Sequence, residues 1–265
     1  MGNQKQEAAN LRAPPSLGLA LAELRALPEL AAGIAALPLL RRGPRGDGHC
    51  ALVLPGLMAS DASTFLLRGL LGSLGHQARG WGLGINMGPR PGLEEAIERL
   101  LEEAARSSGR KVSLVGQSLG GSYARLLGAR RPDLVRCVVT LGSPSAGDPR
   151  SNRAWRLYQW ASGRSAEADS AWADVERGPA APCTSVWSRT DAIVSPGSAR
   201  ALPGPLRECV EIWGSHVGMA VHPGALSVVA DRLSQPEGAW TPFESSGWAR
   251  ALFPERARAP GRGVP

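Results

Sequence analysis

One serine in the sequence has neighbours that suit nucleophilic chemistry. Ser118 lies in the segment Gly116-Gln117-Ser118-Leu119-Gly120, between a short apolar run at 112–115 and residues with helical spacing. This order predicts a sharp strand-to-helix turn that holds the serine hydroxyl above a sheet on a strained backbone. A Cβ at Gly116 or Gly120 would collide with the turned chain. Because the chain contains 33 glycines, the pattern alone is weakly specific, and the prediction depends on the partners that Ser118 can find.

A serine hydroxyl becomes a strong nucleophile when a base removes its proton, and the chain offers four histidines as candidates. His49 precedes a predicted strand and His76 follows a predicted helix, so both belong at the edge of the sheet opposite Ser118. His216 follows the last predicted strand and belongs at the same edge as the serine. We therefore predict His216 as the base, with His222, six residues later, as the alternative or as a helix cap.

The base in turn needs a carboxylate that fixes its tautomer and stabilises its cation. Asp191 directly follows the penultimate predicted strand, at the same edge of the sheet as Ser118. Asp148, in the loop after the preceding strand, is the alternative acid, and a turn aspartate is the structural interpretation of Asp191. The sequence thus predicts a site made of Ser118, Asp191 and His216.

Acyl transfer also needs two backbone N–H donors aimed at the oxygen on which negative charge develops. One donor is expected from Leu119, which follows the serine. The other is expected from the loop after the first core strand, where Leu57 is the predicted donor and Met58 is the alternative. These donors form the predicted oxyanion hole.

Segments of strand and helix character alternate along most of the chain and predict the scaffold for these residues. Apolar runs without polar alternation are typical of strands buried on both faces of a parallel sheet. Their alternation with helices predicts an α/β fold with a mostly parallel sheet. The predicted strands lie at 50–54, 77–85, 112–115, 135–141, 184–187 and 209–213. The predicted helices lie at 63–74, 91–107 and 223–233, and a further helix follows Ser118 and ends at residue 130.

We predict three parts in the chain: an N-terminal helical extension and linker at 1–48, a catalytic domain at 49–235, and a C-terminal tail at 236–265. Pro28 and Pro38 divide the extension into two short amphipathic helices, which are expected to cover part of the core. Contact with a membrane surface is the alternative role. The polar face of these helices carries Glu23, Arg25 and Glu29.

The alternation of strands and helices breaks at 145–182, which predicts helical segments inserted between two strands of the sheet. Trp155, Tyr158 and Trp160 in this insertion are expected to contact an apolar acyl chain of the substrate, or to pack the insertion onto the sheet. This composition favours a small-molecule or lipid-like ester over a highly charged substrate.

The chain carries a net charge of +7, and all but two of its basic residues are arginines. These arginines are scattered rather than clustered or interleaved with aromatic residues. We therefore predict no nucleic-acid partner, and at most weak peripheral contact with an anionic membrane.

The four cysteines lack the spacing of a metal site, and each lies in or at the start of an apolar run. They are predicted to be buried and reduced, and neither a metal nor a cofactor is expected. The sequence shows no secretory signal and no apolar run long enough to cross a bilayer. The cytoplasm is therefore the predicted location.

Four segments together resemble the α/β-hydrolases of the esterase and lipase kind, over about 50–233. The resemblance implies the α/β-hydrolase fold with a compact sheet of about six strands, a nucleophile elbow at Ser118 and a helical cap over the active site at 145–182. The chain order Ser118, Asp191, His216 is the order of that fold. Many relatives carry His-Gly where this chain has Pro55-Gly56. The matching segments are Leu54-Pro55-Gly56-Leu57, Gly116-Gln117-Ser118-Leu119-Gly120-Gly121, Thr190-Asp191-Ala192-Ile193-Val194 and Gly214-Ser215-His216.

The resemblance implies a serine hydrolase that cleaves carboxylic esters through an acyl-Ser118 intermediate. An acyltransferase or a thioesterase would use the same three residues and is the alternative within this chemistry. A non-catalytic binding protein on the same fold is the alternative of another class.

Overall fold

The computed structural model describes residues 21, 23–145, 171–201 and 203–254. Four residues named above lie outside this part of the chain: Asp148, Trp155, Tyr158 and Trp160. The predicted cap is described only from residue 171 onward.

Six strands form one sheet in which every neighbouring pair is parallel. Their order across the sheet is β2-β1-β3-β4-β5-β6. This arrangement confirms the predicted α/β class with a parallel sheet of six strands. The strands are β1 Cys50–Leu54, β2 Gln77–Gly80, β3 Val112–Gln117, β4 Val135–Leu141, β5 Cys183–Trp187 and β6 Arg207–Glu211.

Helices cover both faces of the sheet, which explains why the strands lack polar alternation. In β1, Ala51 and Val53 pack on one face, while Leu52 and Leu54 pack on the other. The first face is covered by α1, α2 and α7, and the second by α3 and α4. No described helix is both long and apolar enough to cross a membrane. The α-helices in the described ranges are α1 Ala26–Leu40, α2 Phe65–Ser73, α3 Leu93–Ser108, α4 Leu119–Arg130, α5 Ala171–Arg177, α6 Pro196–Ala199 and α7 Pro223–Ser234.

The N-terminal helix differs from its prediction in two ways. First, α1 continues through both prolines. Pro28 lies in the first turn, where backbone N–H groups have no helical acceptor, so no hydrogen bond is lost there. Pro38 lies near the end of the helix and removes one backbone hydrogen bond. Second, its one charged residue is turned inward. Glu29 is 9% exposed, whereas Leu27 in the helix and Leu24 in the preceding 3₁₀ turn, Glu23–Arg25, are 75% and 73% exposed. The hydrophobic pattern therefore does not decide which face of this segment is buried.

Two smaller predictions are wrong. Cys209 is exposed, because it lies on the edge strand β6, while the other three cysteines are buried and all four are free. Strand β2 ends at Gly80 instead of residue 85. The Asp61 carboxylate accepts hydrogen bonds from the N–H groups of Trp81 and Gly82, and these bonds turn the chain into a loop.

Apart from the predicted Ser118, Asp191 and His216, another aspartate, histidine and serine form a hydrogen-bonded chain at the amino ends of the strands. Asp47 Oδ1 lies 2.5 Å from His49 Nδ1, and His49 Nε2 lies 2.7 Å from Ser113 Oγ. His49 and Ser113 are each 0% exposed. Because the Ser113 hydroxyl is enclosed, we interpret this amino-edge chain as a structural network.

Two buried histidines make the stability of the fold sensitive to acid. Burial lowers the pKa of His76 to about 4 and the pKa of His222 to about 4. The unfolded chain binds protons on both rings below about pH 6.5, so the unfolded state carries more bound protons than the folded state between about pH 6.5 and 4. The free energy of unfolding therefore falls as the pH is lowered through this window.

The substitution His76→Leu should reduce this acid sensitivity. Neither ring nitrogen of His76 has a hydrogen-bond partner within the described structure, so leucine removes the titration without breaking a bond. Between pH 7 and 4.5, we expect the wild type to lose about 2 to 3 kcal/mol more of its unfolding free energy than the variant. Urea unfolding at the two pH values measures this difference, and equal losses in both proteins would contradict it.

Candidate active site

The turn between β3 and α4 holds Ser118 in a conformation that few residues adopt. Its φ is 51° and its ψ is −123°, in the left-handed half of backbone space. A Cβ at Gly116 would lie 2.3 Å from the Gly120 carbonyl oxygen, and a Cβ at Gly120 would lie 2.3 Å from the Leu54 carbonyl oxygen. The turn therefore requires glycine at both positions, because a Cβ at either one would collide with a backbone carbonyl oxygen.

Ser118, His216 and Asp191 form a hydrogen-bonded chain at the carboxyl edge of the sheet. Ser118 Oγ lies 3.0 Å from His216 Nε2, and His216 Nδ1 lies 2.8 Å from Asp191 Oδ2. The serine follows β3, the aspartate follows β5 and the histidine follows β6. Ser118 and His216 are 9% and 7% exposed, and Asp191 is 1% exposed. The serine end of the chain is thus the more accessible end, and the carboxylate is enclosed.

Two backbone N–H groups hold the Asp191 carboxylate in this orientation. Its Oδ1 atom accepts from the N–H groups of Ile193 and Val194, both at 2.8 Å. Its Oδ2 atom is left to face the imidazole. Gly142 makes room on the other side, because a Cβ there would lie 3.1 Å from Oδ2. The aspartate is therefore fixed in its loop independently of the histidine.

Opposing effects act on the pKa of His216. Burial disfavours the imidazolium and lowers this pKa, while the charge of Asp191, its hydrogen bond to the ring and the charge of Glu23 raise it. The charges outweigh the burial, and the pKa lies above the ordinary value of 6.5. A basic imidazole that is stabilised as a cation is suited to take up the proton of a neighbouring hydroxyl.

The loop after β1 brings backbone donors close to Ser118. A Cβ built on Gly56 would lie 3.2 Å from the Ser118 Cβ, so this loop passes directly beside the serine. The Met58 N–H donates to the Asn86 carbonyl at 2.7 Å. In the described part of the chain, no acceptor is bonded to the N–H groups of Leu57 and Leu119. These two groups are therefore available to a ligand, whereas that of Met58 is occupied.

The comparisons with known proteins concern the fold. No protein-family model and no curated protein matches the sequence. Solved structures do match. One of them, from work on the metagenome-derived lipolytic enzymes LipS and LipT, has a TM-score of 0.54 at 12% identity. The match covers 71% of this chain and 93% of that chain. Lipase B of Aspergillus fumigatus has a TM-score of 0.54 at 16% identity, over 73% and 54% of the two chains. A monoacylglycerol lipase from Paleococcus ferrophilus has a TM-score of 0.51 at 17% identity, over 71% and 97%.

The chain has the α/β-hydrolase fold. At these identities the matches establish the architecture alone, and the chemistry has to be argued from the side chains of this protein. In the α/β-hydrolase fold, ligands bind outside the carboxyl ends of the strands, which is the edge that carries Ser118.

The remaining histidines lie away from the serine. His222 caps α7, where its Nδ1 atom accepts from the Gly224 N–H at 3.1 Å. His49 and His76 lie at the opposite edge of the α/β-hydrolase sheet, as the sequence predicts, with ring centroids 4.8 Å apart. His216 is thus the histidine that meets Ser118.

Two side chains outside the predicted Ser118, Asp191 and His216 support the loops of the site. The amide of Gln117 donates to the carbonyl oxygens of His216 and Val217, at 3.1 and 3.2 Å. The Asn86 amide donates to the Pro55 carbonyl at 2.9 Å and steadies the loop that carries Leu57. Gln117 is not among the predicted site residues, and its position next to Ser118 is the sequence signal that points to it.

Proposed function

We propose that this protein is a carboxylic-ester hydrolase that acts through an acyl-Ser118 intermediate. One observation carries the proposal: an unbroken hydrogen-bonded chain runs from Asp191 through His216 to a serine hydroxyl on a strained turn. This is the arrangement that acyl transfer by a serine requires. The position of the chain at the carboxyl edge of an α/β-hydrolase sheet supports the same function.

In the first half of the proposed reaction, His216 Nε2 takes the hydroxyl proton of Ser118 while Oγ attacks the ester carbonyl carbon. The carbonyl oxygen becomes an oxyanion and accepts hydrogen bonds from the N–H groups of Leu57 and Leu119. The tetrahedral species then expels the alcohol, which receives the proton from His216. The product of this half is the acyl ester of Ser118.

In the second half, water replaces the alcohol. His216 takes a proton from the water, the resulting hydroxide attacks the acyl carbon, and the Ser118 oxygen leaves with the proton held by the imidazole. Asp191 remains ionised throughout. Its role is to accept the Nδ1–H bond, which keeps Nε2 unprotonated and facing the serine.

Exposed apolar side chains on the loops of the site favour an uncharged, apolar ester. Met58 and Ile85 are 55% and 57% exposed, and Val217, next to the histidine, is 59% exposed. Contacts with an acyl chain would cover this surface. Trp155, Tyr158 and Trp160 remain part of the proposal as additional contacts from the cap.

The similar solved structures are described as lipolytic enzymes, a lipase and a monoacylglycerol lipase. These activities agree with the proposed hydrolysis of esters. An acyltransferase or thioesterase reaction would proceed through the same intermediate and differ in the acceptor or the leaving group.

A serine-directed phosphonate tests this proposal. The purified full-length protein should be labelled once, on Ser118, because phosphonates react with serines that a neighbouring base activates. Peptide mass spectrometry identifies the labelled residue. The same protein should hydrolyse chromogenic esters, with activity rising from acetate to longer acyl chains.

The amino-edge chain provides a matched control for the labelling. Ser113→Ala should be labelled to the same extent as the wild type, since the Ser113 hydroxyl is enclosed. Absence of both labelling and turnover would favour a non-catalytic binding protein. Faster turnover with added alcohol acceptors or with thioesters would favour the acyltransferase or the thioesterase.

A further inference from the structure

Three consecutive N–H groups of the histidine loop donate to carboxylates of the N-terminal segment. Ser215 donates to Glu29 at 2.8 Å, while His216 and Val217 donate to Glu23 at 3.0 and 2.9 Å. The two glutamates lie in the N-terminal segment, which also covers one face of the sheet. Their carboxylates bond directly to the backbone of the loop that carries the candidate catalytic histidine.

The Glu23 carboxylate also reaches the loop that carries the acid. Its Oε1 atom accepts from the Ala192 N–H at 3.0 Å and, at the same time, from the His216 N–H at 3.0 Å. One carboxylate oxygen therefore joins the residue that follows Asp191 to the backbone of the histidine. These are the two loops whose separation sets the 2.8 Å distance between Asp191 Oδ2 and His216 Nδ1.

Neighbouring contacts fix the N-terminal segment against both loops. Arg25 donates to the Thr190 carbonyl at 3.2 Å, and the second oxygen of Glu29 accepts from the Ser215 hydroxyl. At Gly218, a Cβ would lie 1.9 Å from Glu29 Oε2 and 3.0 Å from the Ala26 Cα. The absence of a side chain at Gly218 is what lets the loop approach the segment this closely.

We propose that Glu23 is a positioning residue for ester hydrolysis, which ties the Asp191 loop to His216 and sets a second negative charge beside the imidazole. This inference rests on the proposed function. Glu23 does not touch the reacting atoms. It acts through Asp191 and His216, and its effect combines a geometric part with an electrostatic part.

The two parts predict different consequences. Without the three hydrogen bonds, the two loops lose a shared anchor, and the histidine spends less time in reach of both Asp191 and Ser118. Without the charge, one of the causes that raise the pKa of His216 is removed, so the imidazole loses its proton at lower pH. The acid limb of kcat/KM would then move to lower pH.

Few other charged or titratable groups act on the pKa of His216. Asp191 is the other charge that raises the pKa of His216. Arg25 and Glu29 lie on the same segment as Glu23 and bond to the acid loop and the histidine loop. Burial lowers the pKa of His222 to about 4, so this ring is neutral under assay conditions.

Two substitutions in the full-length chain separate the geometric part from the electrostatic part. Glu23→Gln keeps the length of the side chain and one acceptor oxygen. It loses the negative charge, and its NH2 group faces a backbone N–H, which is also a donor. We expect kcat per active site to fall about tenfold with little change in KM, and the acid limb to move down by on the order of half a pH unit. Glu23→Asp keeps the charge with a shorter reach, so it should lower kcat and leave the acid limb in place.

Glu237→Gln is the control. This carboxylate is exposed and pairs with Lys111 at the amino edge of the sheet, at 3.5 Å, so both readouts should stay at wild-type values. Titration with the phosphonate normalises every rate to the number of folded sites, which removes effects of stability. Wild-type kcat and an unshifted acid limb in Glu23→Gln, after this normalisation, would overturn the proposal.

An NMR titration of the imidazole distinguishes failure of this inference from failure of the proposed function. The chain has four histidines, so the His216 signal can be assigned by comparison with a His216→Ala spectrum. A lower pKa of His216 in Glu23→Gln supports the inference even if no ester is hydrolysed. An unchanged pKa together with wild-type kcat overturns it.

Discussion

Ser118→Ala is expected to lower kcat/KM for a chromogenic ester by about 10⁴-fold or more. The alanine has no oxygen to attack the carbonyl, so the acyl intermediate cannot form. The Cβ of residue 118 remains, and the strained backbone keeps its shape because the surrounding glycines are unchanged. Residual turnover would come from the backbone donors alone. Steady-state hydrolysis, together with loss of phosphonate labelling, measures the effect.

The matched control is Ser113→Ala, which removes the hydroxyl of the other Asp–His–Ser chain. Ser113 lies 2.7 Å from His49 and 3.2 Å from the Cys137 sulfur, in the interior. Its loss should lower the free energy of unfolding by about 1 to 3 kcal/mol, the range for a broken buried hydrogen bond, with unchanged activity per folded molecule. Near-normal activity in Ser118→Ala, or its loss in Ser113→Ala, would contradict the assignment.

The two Asp–His–Ser chains show that three residue types at hydrogen-bonding distance do not define a site. Both chains join their residues in the same order, with carboxylate to Nδ1 and hydroxyl to Nε2. They differ in backbone and setting. Ser118 sits on a strained turn at the carboxyl edge of the sheet, next to unoccupied N–H donors, whereas Ser113 is an interior strand residue. Their exposure and the neighbouring N–H donors distinguish the two serines.

The meeting of Ser118, Asp191 and His216 could be predicted because each lies in the loop or turn that follows a predicted strand. The carboxyl ends of parallel strands meet at one edge of the sheet, so strand direction alone brings such residues together. The mostly apolar runs of β1, β3 and β4 made those strands easy to recognise. The predicted parallel sheet depended on the same signal.

The role of the N-terminal segment could not be predicted in this way. Glu23 bonds to Ala192 and His216, which are 169 and 193 positions away. Its partners are backbone N–H groups, which every loop possesses, so no pattern of side chains marks the contact. The amphipathic pattern of the segment also misled, because Glu29 is buried while Leu24 and Leu27 face outward. A buried carboxylate is stable there because loop N–H groups satisfy it.

Asp191→Asn is expected to lower kcat by about 10⁴-fold, although it changes one atom of the side chain. The amide oxygen can replace Oδ1 and accept from the Ile193 and Val194 N–H groups. The amide NH2 then faces His216 Nδ1, and a donor at this place requires Nδ1 to be the acceptor. The proton of the neutral imidazole moves to Nε2, which faces Ser118. The histidine can then no longer accept the serine proton.

This result separates a catalytic carboxylate from a structural one when it is compared with Asp47→Asn. The same replacement in the amino-edge chain perturbs the bonds of Asp47 to His49 and Arg136, so it should lower the free energy of unfolding and leave kcat per titrated site unchanged. The ¹⁵N chemical shifts of His216 report its tautomer directly and should show the proton moving from Nδ1 to Nε2 in Asp191→Asn. Wild-type kcat in that variant would mean that Asp191 is a turn residue, since a carboxylate that fixes the tautomer cannot be replaced by an amide without loss.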